Sequence, residues 1–306
     1  MARTNKDVNS AHLIIGPYLR SNATILAEKA RSNGSILVSP HSASANISPN
    51  NPNYIQVKPS LETHCQAIMQ HVAKDHSYDQ IVLVALNNDA EKARFDYLQK
   101  AWQITNGNTD TRELKRITVD SNRLEMGSVD LAKYFTGTGE TVFIVPSWSK
   151  ETFIYNFLRK LDIAKGQYNR VAVYGMPQWM DYERIDFDYY EKLNVHVSSS
   201  VFIDDLNPDI RAFKRRYYDR FGDIPNEEAF SAYDLTRYFG RMIHRYGTRF
   251  QYKLESSPES FLHTEFKFNP VFQTGTTGTE IRQVDHWENQ FVNILRFQNY
   301  RFSKVN

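Results

Sequence analysis

The order of predicted elements indicates an α/β protein of two lobes, each with a parallel sheet covered by helices on both faces. Short apolar runs typical of buried parallel strands, such as Ile81–Leu86 (IVLVAL), recur along the chain, each followed by a polar turn and an amphipathic helix. After residue 264 apolar and polar residues largely alternate, which predicts antiparallel strands at the end of the chain. The body of the protein is therefore expected to consist of repeated strand–helix units.

The first unit is a strand over His12–Gly16, a turn over Pro17–Ser21 and a helix over Asn22–Asn33. Ser21 or Asn22 is the expected N-cap, and Gly34 is the expected left-handed residue after the helix. A second strand, Ser35–Ser39, ends at Pro40.

A polar stretch follows this strand and contains one short strand, Tyr54–Val57. Ser60 then begins a helix with one apolar face, formed by residues spaced as a helix requires: Leu61, Cys65, Ile68, Met69 and Val72.

The middle of the chain repeats the same alternation. Extended segments are predicted at Ile81–Leu86, Arg116–Val119, Val142–Val145, Val171–Tyr174 and Val195–Ile203. A helix is expected to follow the first of these to about Trp102, and another begins at Ser149.

Two further helices and a different tail complete the chain. Asn207-Pro208 reads as the cap and first residue of a helix that stops at Gly222, and Asn226 opens a long helix to about Tyr246. Antiparallel strands are predicted at Glu265–Phe268, Phe291–Phe297 and Tyr300–Lys304, and the Gly- and Thr-rich segment 269–290 is predicted as loop.

Composition excludes several function classes. The 306 residues carry a net charge of +2 and no basic tract, so the electrostatic footprint of a nucleic-acid binder is missing from the sequence. The single cysteine, Cys65, permits neither an intrachain disulfide nor a cysteine metal site. The sequence carries no HExxH, GxSxG or P-loop motif, so we expect neither an enzyme nor a cofactor.

In folds of this kind ligands bind beyond the carboxyl ends of the parallel strands. The turns at these positions therefore supply the candidate ligand-binding residues: Tyr18, Arg20, Ser21, His41 and Ser42 in lobe one, and Asn88, Asp89, Ser147, Trp148, Gln178 and Trp179 in lobe two. A plainer reading stays open for most of them. Ser21 and Asp89 could simply cap helices, and Trp148 could close a hydrophobic core.

Three segments, in order, resemble the type I periplasmic binding proteins, the superfamily of branched-chain amino-acid binding proteins and receptor ligand-binding domains. The first is HLIIGPYLRSNATILAEKARSNGSILVSPHSAS, with Gly16-Pro17 and Ser39-Pro40 at the spacing of that family. The second is YIQVKPSLETHCQAIMQHV, similar to the first crossover between lobes. The third, from Asp204 to Phe239, contains a helix ending at Phe221-Gly222 and then Ala-Tyr-Asp.

This resemblance implies two Rossmann-like lobes: residues 1–57 with 198–264, and residues 58–197 with 265–306. It also implies that strand–helix units of lobe one are missing before residue 12, because members of the family open with two such units. The tail FVNILRFQNYRFSKV further resembles the lineage associated with LysM envelope proteins.

Two departures concern the ligand. In amino-acid-binding members, small hydroxyl residues in the first two turns hold the carboxylate and ammonium, whereas here Arg20 and Ala43 stand near those positions. Gln178 and Trp179 fall at about the position where the family places its ammonium-binding acid, and neither of them is acidic. Arg20 would either grip a carboxylate or phosphate through its guanidinium group or obstruct the pocket.

The resemblance implies a non-enzymatic, extracytoplasmic solute-binding protein that closes its lobes around a small polar or anionic ligand, such as an amino-acid-like or cell-wall-derived compound. Its partner would be a membrane transporter, and lobe one would support a homodimer. The alternative is a ligand-free envelope domain that acts with peptidoglycan-binding or peptidoglycan-synthesis partners. Both place the protein in the periplasm or cell envelope, with any signal sequence outside this chain.

Overall fold

The computed structural model describes residues 6–43, 47–120, 129–137, 139–167, 169–273 and 283–305. The chain forms two compact units, Met1–Ser60 with Ser200–Phe291 and Leu61–Ser199 with Val292–Asn306. The crossings at residues 60 and 199 lie close to the predicted ones. Residues 265–291 belong to the first unit and not, as predicted, to the second lobe, because their strands pair with β3 (Tyr54–Gln56) through β12 (Val284–Asn289).

The first unit is built on a five-stranded sheet in the order β1-β2-β3-β12-β11. Its first four strands run parallel, and β11 pairs antiparallel with β12. The further elements of this unit are α1 (Lys6–Ser10), β1 (Leu13–Ile15), α2 (Arg20–Asn33), β2 (Ile36–Ser39), α8 (Pro208–Phe221), α9 (Glu227–Tyr246), β9 (Glu259–Ser260), β10 (Glu265–Phe266) and β11 (Phe268–Phe272).

Strand periodicity places two different cores on the two faces of this sheet. Ile36, Val38 and Ile55 point to one face, where they pack with the apolar residues of α9. Leu37 and Tyr54 point to the other and pack with the alanines of α2. The sheet is therefore covered by a helix on each face, as the sequence predicted.

The second unit contains a seven-stranded sheet in the order β14-β13-β8-β7-β6-β4-β5. The five strands β4 to β8 run parallel, and β13 and β14 add antiparallel, which confirms the predicted character of the tail. The elements are α3 (Leu61–Asp75), β4 (Ile81–Leu86), α4 (Asp89–Lys92), α5 (Arg94–Thr105), β5 (Lys115–Val119), β6 (Glu140–Ile144), α6 (Glu151–Lys165), β7 (Arg170–Gly175), α7 (Phe187–Lys192), β8 (Val195–Ser199), β13 (Asn293–Gln298) and β14 (Arg301–Lys304).

Most predicted boundaries agree with the structure to within a few residues. The helix α8 starts at Pro208, with the Asn207 side chain accepting the backbone N–H of Asp209, and ends at a left-handed Gly222. Gly34 likewise ends α2 in the left-handed conformation. These caps are local chemistry, and so the sequence alone predicts them.

Two predictions about elements are wrong. The helix α2 begins at Arg20 with Leu19 as its N-cap residue, which makes no side-chain hydrogen bond, so neither Ser21 nor Asn22 caps it. The segment 269–290 was predicted as loop, yet most of β11 and the whole of β12 lie in it. The strand β12 reads VDHWEN, and four of its six residues are buried, three of them polar: His286, Glu288 and Asn289.

Candidate functional site

In the second unit, the carboxyl ends of β4, β6, β7 and β8 meet along one edge of the sheet, because these strands are parallel neighbours. The turns after β4, β6 and β7 hold all six residues that the sequence selected in this lobe. The topology therefore brings Asn88, Asp89, Ser147, Trp148, Gln178 and Trp179 to one edge, and their side chains divide into buried and exposed groups.

Ser147 belongs to a buried polar network. Its hydroxyl donates a hydrogen bond to the carboxylate of Glu91, and both residues are buried. The guanidinium group of Arg94 lies 3.1 Å from the same carboxylate and donates to the carbonyl oxygen of Pro146 at 2.7 Å. Because a buried carboxylate is stable only when paired and hydrogen-bonded, this network fixes the turn after β6. The Ser147 side chain is therefore bound inside the unit and holds the turn in place.

The Trp179 side chain is also buried and makes its contacts inside the unit. It is fully buried, and its indole N–H donates to the carbonyl oxygen of Ser147 at 3.1 Å. The Tyr190 hydroxyl donates to the Trp179 carbonyl oxygen at 2.8 Å. The ring lies directly on the Cα of Gly175, where a Cβ atom would come within 2.4 Å of it. Trp179 is thus a packing residue that joins the turns after β6 and β7.

Trp148, by contrast, is partly exposed. Its ring meets the buried His64 ring edge-on, with centroids 5.2 Å apart and an interplanar angle of 88°. The Nδ1 atom of His64 lies 3.0 Å from the Ser198 hydroxyl, and the Tyr182 hydroxyl donates to the Trp148 carbonyl oxygen at 3.0 Å. Its backbone and one ring edge are therefore held, while part of the ring remains available to a ligand.

The remaining three candidates on this edge differ in exposure and in hydrogen bonding. Asn88 caps α4, since its side-chain oxygen accepts the backbone N–H of Glu91 at 3.0 Å. Asp89 is an exposed carboxylate 3.4 Å from the Lys92 ammonium. The side-chain oxygen of Gln178 is buried without a hydrogen-bond partner among the described residues. The helix-capping role considered for Asp89 thus falls to Asn88, and the Asp89 carboxylate is exposed to solvent beside the Lys92 ammonium.

In the first unit, β1, β2 and β3 end at the corresponding edge. The Tyr18 and His41 rings lie against each other with centroids 4.2 Å apart, and Tyr18 is 63% exposed. Partial burial lowers the pKa of His41, and the Lys58 ammonium lowers it further, which favours the neutral imidazole. Ser21 is exposed on the first turn of α2, whereas Ser42 is buried.

Arg20 is the first residue of α2, and its side chain lies outside the described part of the structure. Its predicted grip on an anion therefore stays a prediction, as does the choice between binding and blocking. Ligand binding by the predicted residues as a set also stays a prediction.

The sequence missed a buried polar row at this edge. Ser39, Gln56 and Glu288 are register partners on β2, β3 and β12, and each is almost fully buried. The Ser39 hydroxyl and the Gln56 side-chain oxygen have no hydrogen-bond partner among the described residues. Glu288 accepts the backbone N–H of Ser60 at 2.8 Å. Buried unsatisfied polar atoms are rare, so this row is a second polar feature of the edge, although it lies inside the unit and not at its surface.

Three specific features are absent among the described residues: a metal site, a reactive thiol and a membrane-spanning helix. No three His, Cys, Asp or Glu side chains among them approach as a metal site requires. Burial raises the pKa of the Cys65 thiol to about 12, which opposes the thiolate that a nucleophile needs. No helix in the described ranges is long and apolar enough to cross a membrane.

Scans against protein-family models and against curated protein sequences find no match for this chain. Solved structures do match. An ABC transporter substrate-binding protein from Desulfitobacterium hafniense, in complex with Leu, superposes with a TM-score of 0.63 at 12% identity, covering 97% of this chain and 81% of that one. A branched-chain amino-acid ABC transporter periplasmic ligand-binding protein from Burkholderia xenovorans gives 0.62 at 10% identity, covering 100% and 79%.

The C-domain of LpoA from Haemophilus influenzae, a regulator of PBP1A, also matches, with a TM-score of 0.55 at 13% identity over 96% of this chain and 82% of that one. None of these structures bears on the predicted kinship with LysM-associated proteins, which stays a prediction. Helix-covered parallel sheets in two compact units, together with these superpositions, give this chain the fold of the type I periplasmic binding proteins, as its sequence predicted.

Proposed function

We propose that this chain is a non-enzymatic, extracytoplasmic binding protein for a small polar solute. The observation that carries the proposal is Trp148, a partly exposed ring held in place at the carboxyl edge of the second unit, with the exposed carboxylate of Asp89 on the same edge. The first unit has a ring pair of its own, Tyr18 and His41, after its strands β1 and β2. Rings that are fixed by neighbours bind the flat or aliphatic part of a ligand at small entropic cost.

The expected ligand has a polar or anionic group beside an apolar or planar part. A structural neighbour holds Leu, and we extend from it only the general role of solute binding, because the two chains are 12% identical. Gln178 and Trp179 stand where the resemblance places the ammonium-binding acid of amino-acid-binding relatives, and neither is acidic, so free amino acids are the less favoured class. A membrane transporter would be the partner that receives the solute, and the first unit would support a homodimer.

Tryptophan fluorescence tests the proposal directly. The chain has four tryptophans, and Trp102, Trp179 and Trp287 are all at most 4% exposed. A solute that reaches Trp148 should therefore change the emission of one indole. Titration with amino acids, peptides, sugars, nucleosides and muropeptides should give a saturable change for one class, and Trp148→Phe should abolish that change.

Trp102→Phe is the matched control, since its indole is buried in α5 and should leave the titration intact. A thermal-shift measurement gives a readout that does not depend on the indole, because a solute at about 100 times its Kd stabilises the fold by about 2.7 kcal/mol. A cooperative melt with no shift and no emission change for any class would reject solute binding.

The alternative function is an envelope domain that acts on a protein partner and binds no solute. It is favoured by the structural similarity to the LpoA C-domain. It is also favoured because several side chains at the edge are buried or hydrogen-bonded within the unit and are not available to a solute. Ser147 is bound to Glu91, Trp179 is buried and Asn88 is a helix cap. The negative outcome just described would move the assignment to this alternative.

A further inference from the structure

The end of α8 carries an exposed aromatic and basic surface that solute binding does not use. Phe221, at the last turn of the helix, is 63% exposed, and Tyr218 and Ile224 beside it are 58% and 69% exposed. Side chains of this size are normally scattered singly over a protein surface. Here three of them lie within seven residues of sequence, and one of the three, Phe221, lines a groove between α8 and α9.

The groove has a volume of about 390 Å³ and is lined by Phe213, Arg216, Tyr217, Phe221, Ala229 and Tyr233. Its floor is rigid, because the Phe213 ring packs on the Phe230 ring at 4.7 Å and on the Tyr233 ring at 4.8 Å between centroids. Tyr217 and Phe221 form its wall with centroids 4.7 Å apart. A preorganised aromatic groove binds an apolar side chain with little loss of conformational freedom.

Arginines frame the groove. Arg237 lies over the Tyr233 ring at 5.2 Å, and Arg220 lies over the Phe221 ring at 6.0 Å. Five basic and two acidic residues give α8 a net charge of +3. Among the described residues, the exposed Arg215 and Arg216 make no ion pair within 4.0 Å, so their charges are open to a partner. Tyrosine and arginine are the residue types that most often carry binding energy at interfaces.

The positive charge of α8 indicates which kind of partner fits the groove. A second copy docked through the same surface would place two helices of charge +3 against each other in a two-fold interface, which like-charge repulsion opposes. An acidic segment would pair with the free arginines and insert its apolar side chains between the rings. We propose that the groove between α8 and α9, framed by Arg216 and Phe221, docks an acidic protein segment that carries an aromatic or large aliphatic anchor.

Panning of a phage-displayed random peptide library on the immobilised full chain tests this proposal. The recovered peptides should be enriched in Asp and Glu together with aromatic or large aliphatic residues. Synthetic copies, measured by fluorescence anisotropy, should lose about tenfold or more in affinity with Arg216→Glu and with Phe221→Ala, because both changes remove an expected hot spot. Binding should also weaken as salt increases.

Arg249→Glu and Tyr252→Ala are the matched controls, since they make the same kinds of change at exposed positions away from the groove and should leave affinity within about twofold. Unchanged far-ultraviolet circular dichroism and melting would show that each variant is folded. The proposal is overturned if no peptide is enriched, if the enriched peptides lack net negative charge, or if groove and control variants bind them equally. Sedimentation of a dimer that Phe221→Ala dissociates would overturn it in favour of a second copy.

Discussion

A substitution at Gly175 tests how the edge of the second unit is built. The Gly175 Cα faces the fused ring of Trp179, and an added Cβ atom would lie 2.4 to 2.6 Å from three of its carbon atoms. Real carbon contacts do not become so short, so Gly175→Ala must displace either the indole or the strand. The indole cannot move freely, because it is fully buried and its N–H donates to the Ser147 carbonyl oxygen.

Overpacking of a well-packed core costs about 1–3 kcal/mol, and the close contacts in this case favour the upper part of that range. Removal of the ring by Trp179→Ala costs about 3–5 kcal/mol by itself, but it also removes the clash. Gly175→Ala should therefore destabilise the wild type by about 2–3 kcal/mol and the Trp179→Ala background by less than about 1 kcal/mol.

Urea unfolding of the four proteins, followed by circular dichroism at 222 nm, measures both terms of this cycle. Circular dichroism is preferred to fluorescence because one arm removes a tryptophan. Equal costs of Gly175→Ala in the two backgrounds would show that the ring of Trp179 does not lie on Gly175. A cost below about 0.5 kcal/mol in the wild type would lead to the same conclusion.

Three further predictions concern buried ionisable groups of the second unit. Burial lowers the pKa of His196 from 6.5 to about 4, so the stability that its neutral ring provides is complete above pH 6.5 and is lost as the pH falls towards 4. The free energy of unfolding should therefore fall between about pH 8 and about pH 5 by about 2 kcal/mol more in the wild type than in His196→Phe. An equal fall in the two proteins would contradict this. Glu91→Ala leaves Arg94 without its carboxylate and should cost about 3 kcal/mol in urea unfolding, whereas a loss below about 1 kcal/mol would mean that the network is not closed. Cys65 should react with a thiol reagent orders of magnitude more slowly in the native protein than in urea, and a fast native reaction would show that its helix opens readily.

Much of the fold follows from local sequence patterns. Runs such as Ile81–Leu86 are apolar throughout because both faces of a parallel sheet are covered, and α3 shows its buried face at helical spacing. The strand β12 escaped prediction because burial there does not follow polarity. His286, Glu288 and Asn289 are buried polar residues, so the pattern that identifies other strands is missing.

The site was predictable only in its position. Turns after parallel strands identify the right edge, but they do not show which side chains remain accessible. Ser147 is buried because Glu91, more than fifty residues earlier in the sequence, accepts its hydroxyl, and Trp179 is buried because Gly175 leaves space for a ring. Such long-range partners carry no periodic signal, and the same holds for the row formed by Ser39, Gln56 and Glu288.

The first unit's sheet joins strands that lie far apart in the sequence, and this affects how the chain folds during synthesis. The strand β3 pairs with β12, which brings Ile55 beside Trp287, whereas β4 to β8 all lie between residues 81 and 199. At a few to twenty residues per second, ribosomes need on the order of ten seconds or more to travel from one partner strand to the other. During that interval the apolar edge of β3 is open, while the parallel strands of the second unit can already pair. We therefore expect the parallel strands β4 to β8 of the second unit to assemble first on the ribosome, and the first unit to need protection until β12 emerges.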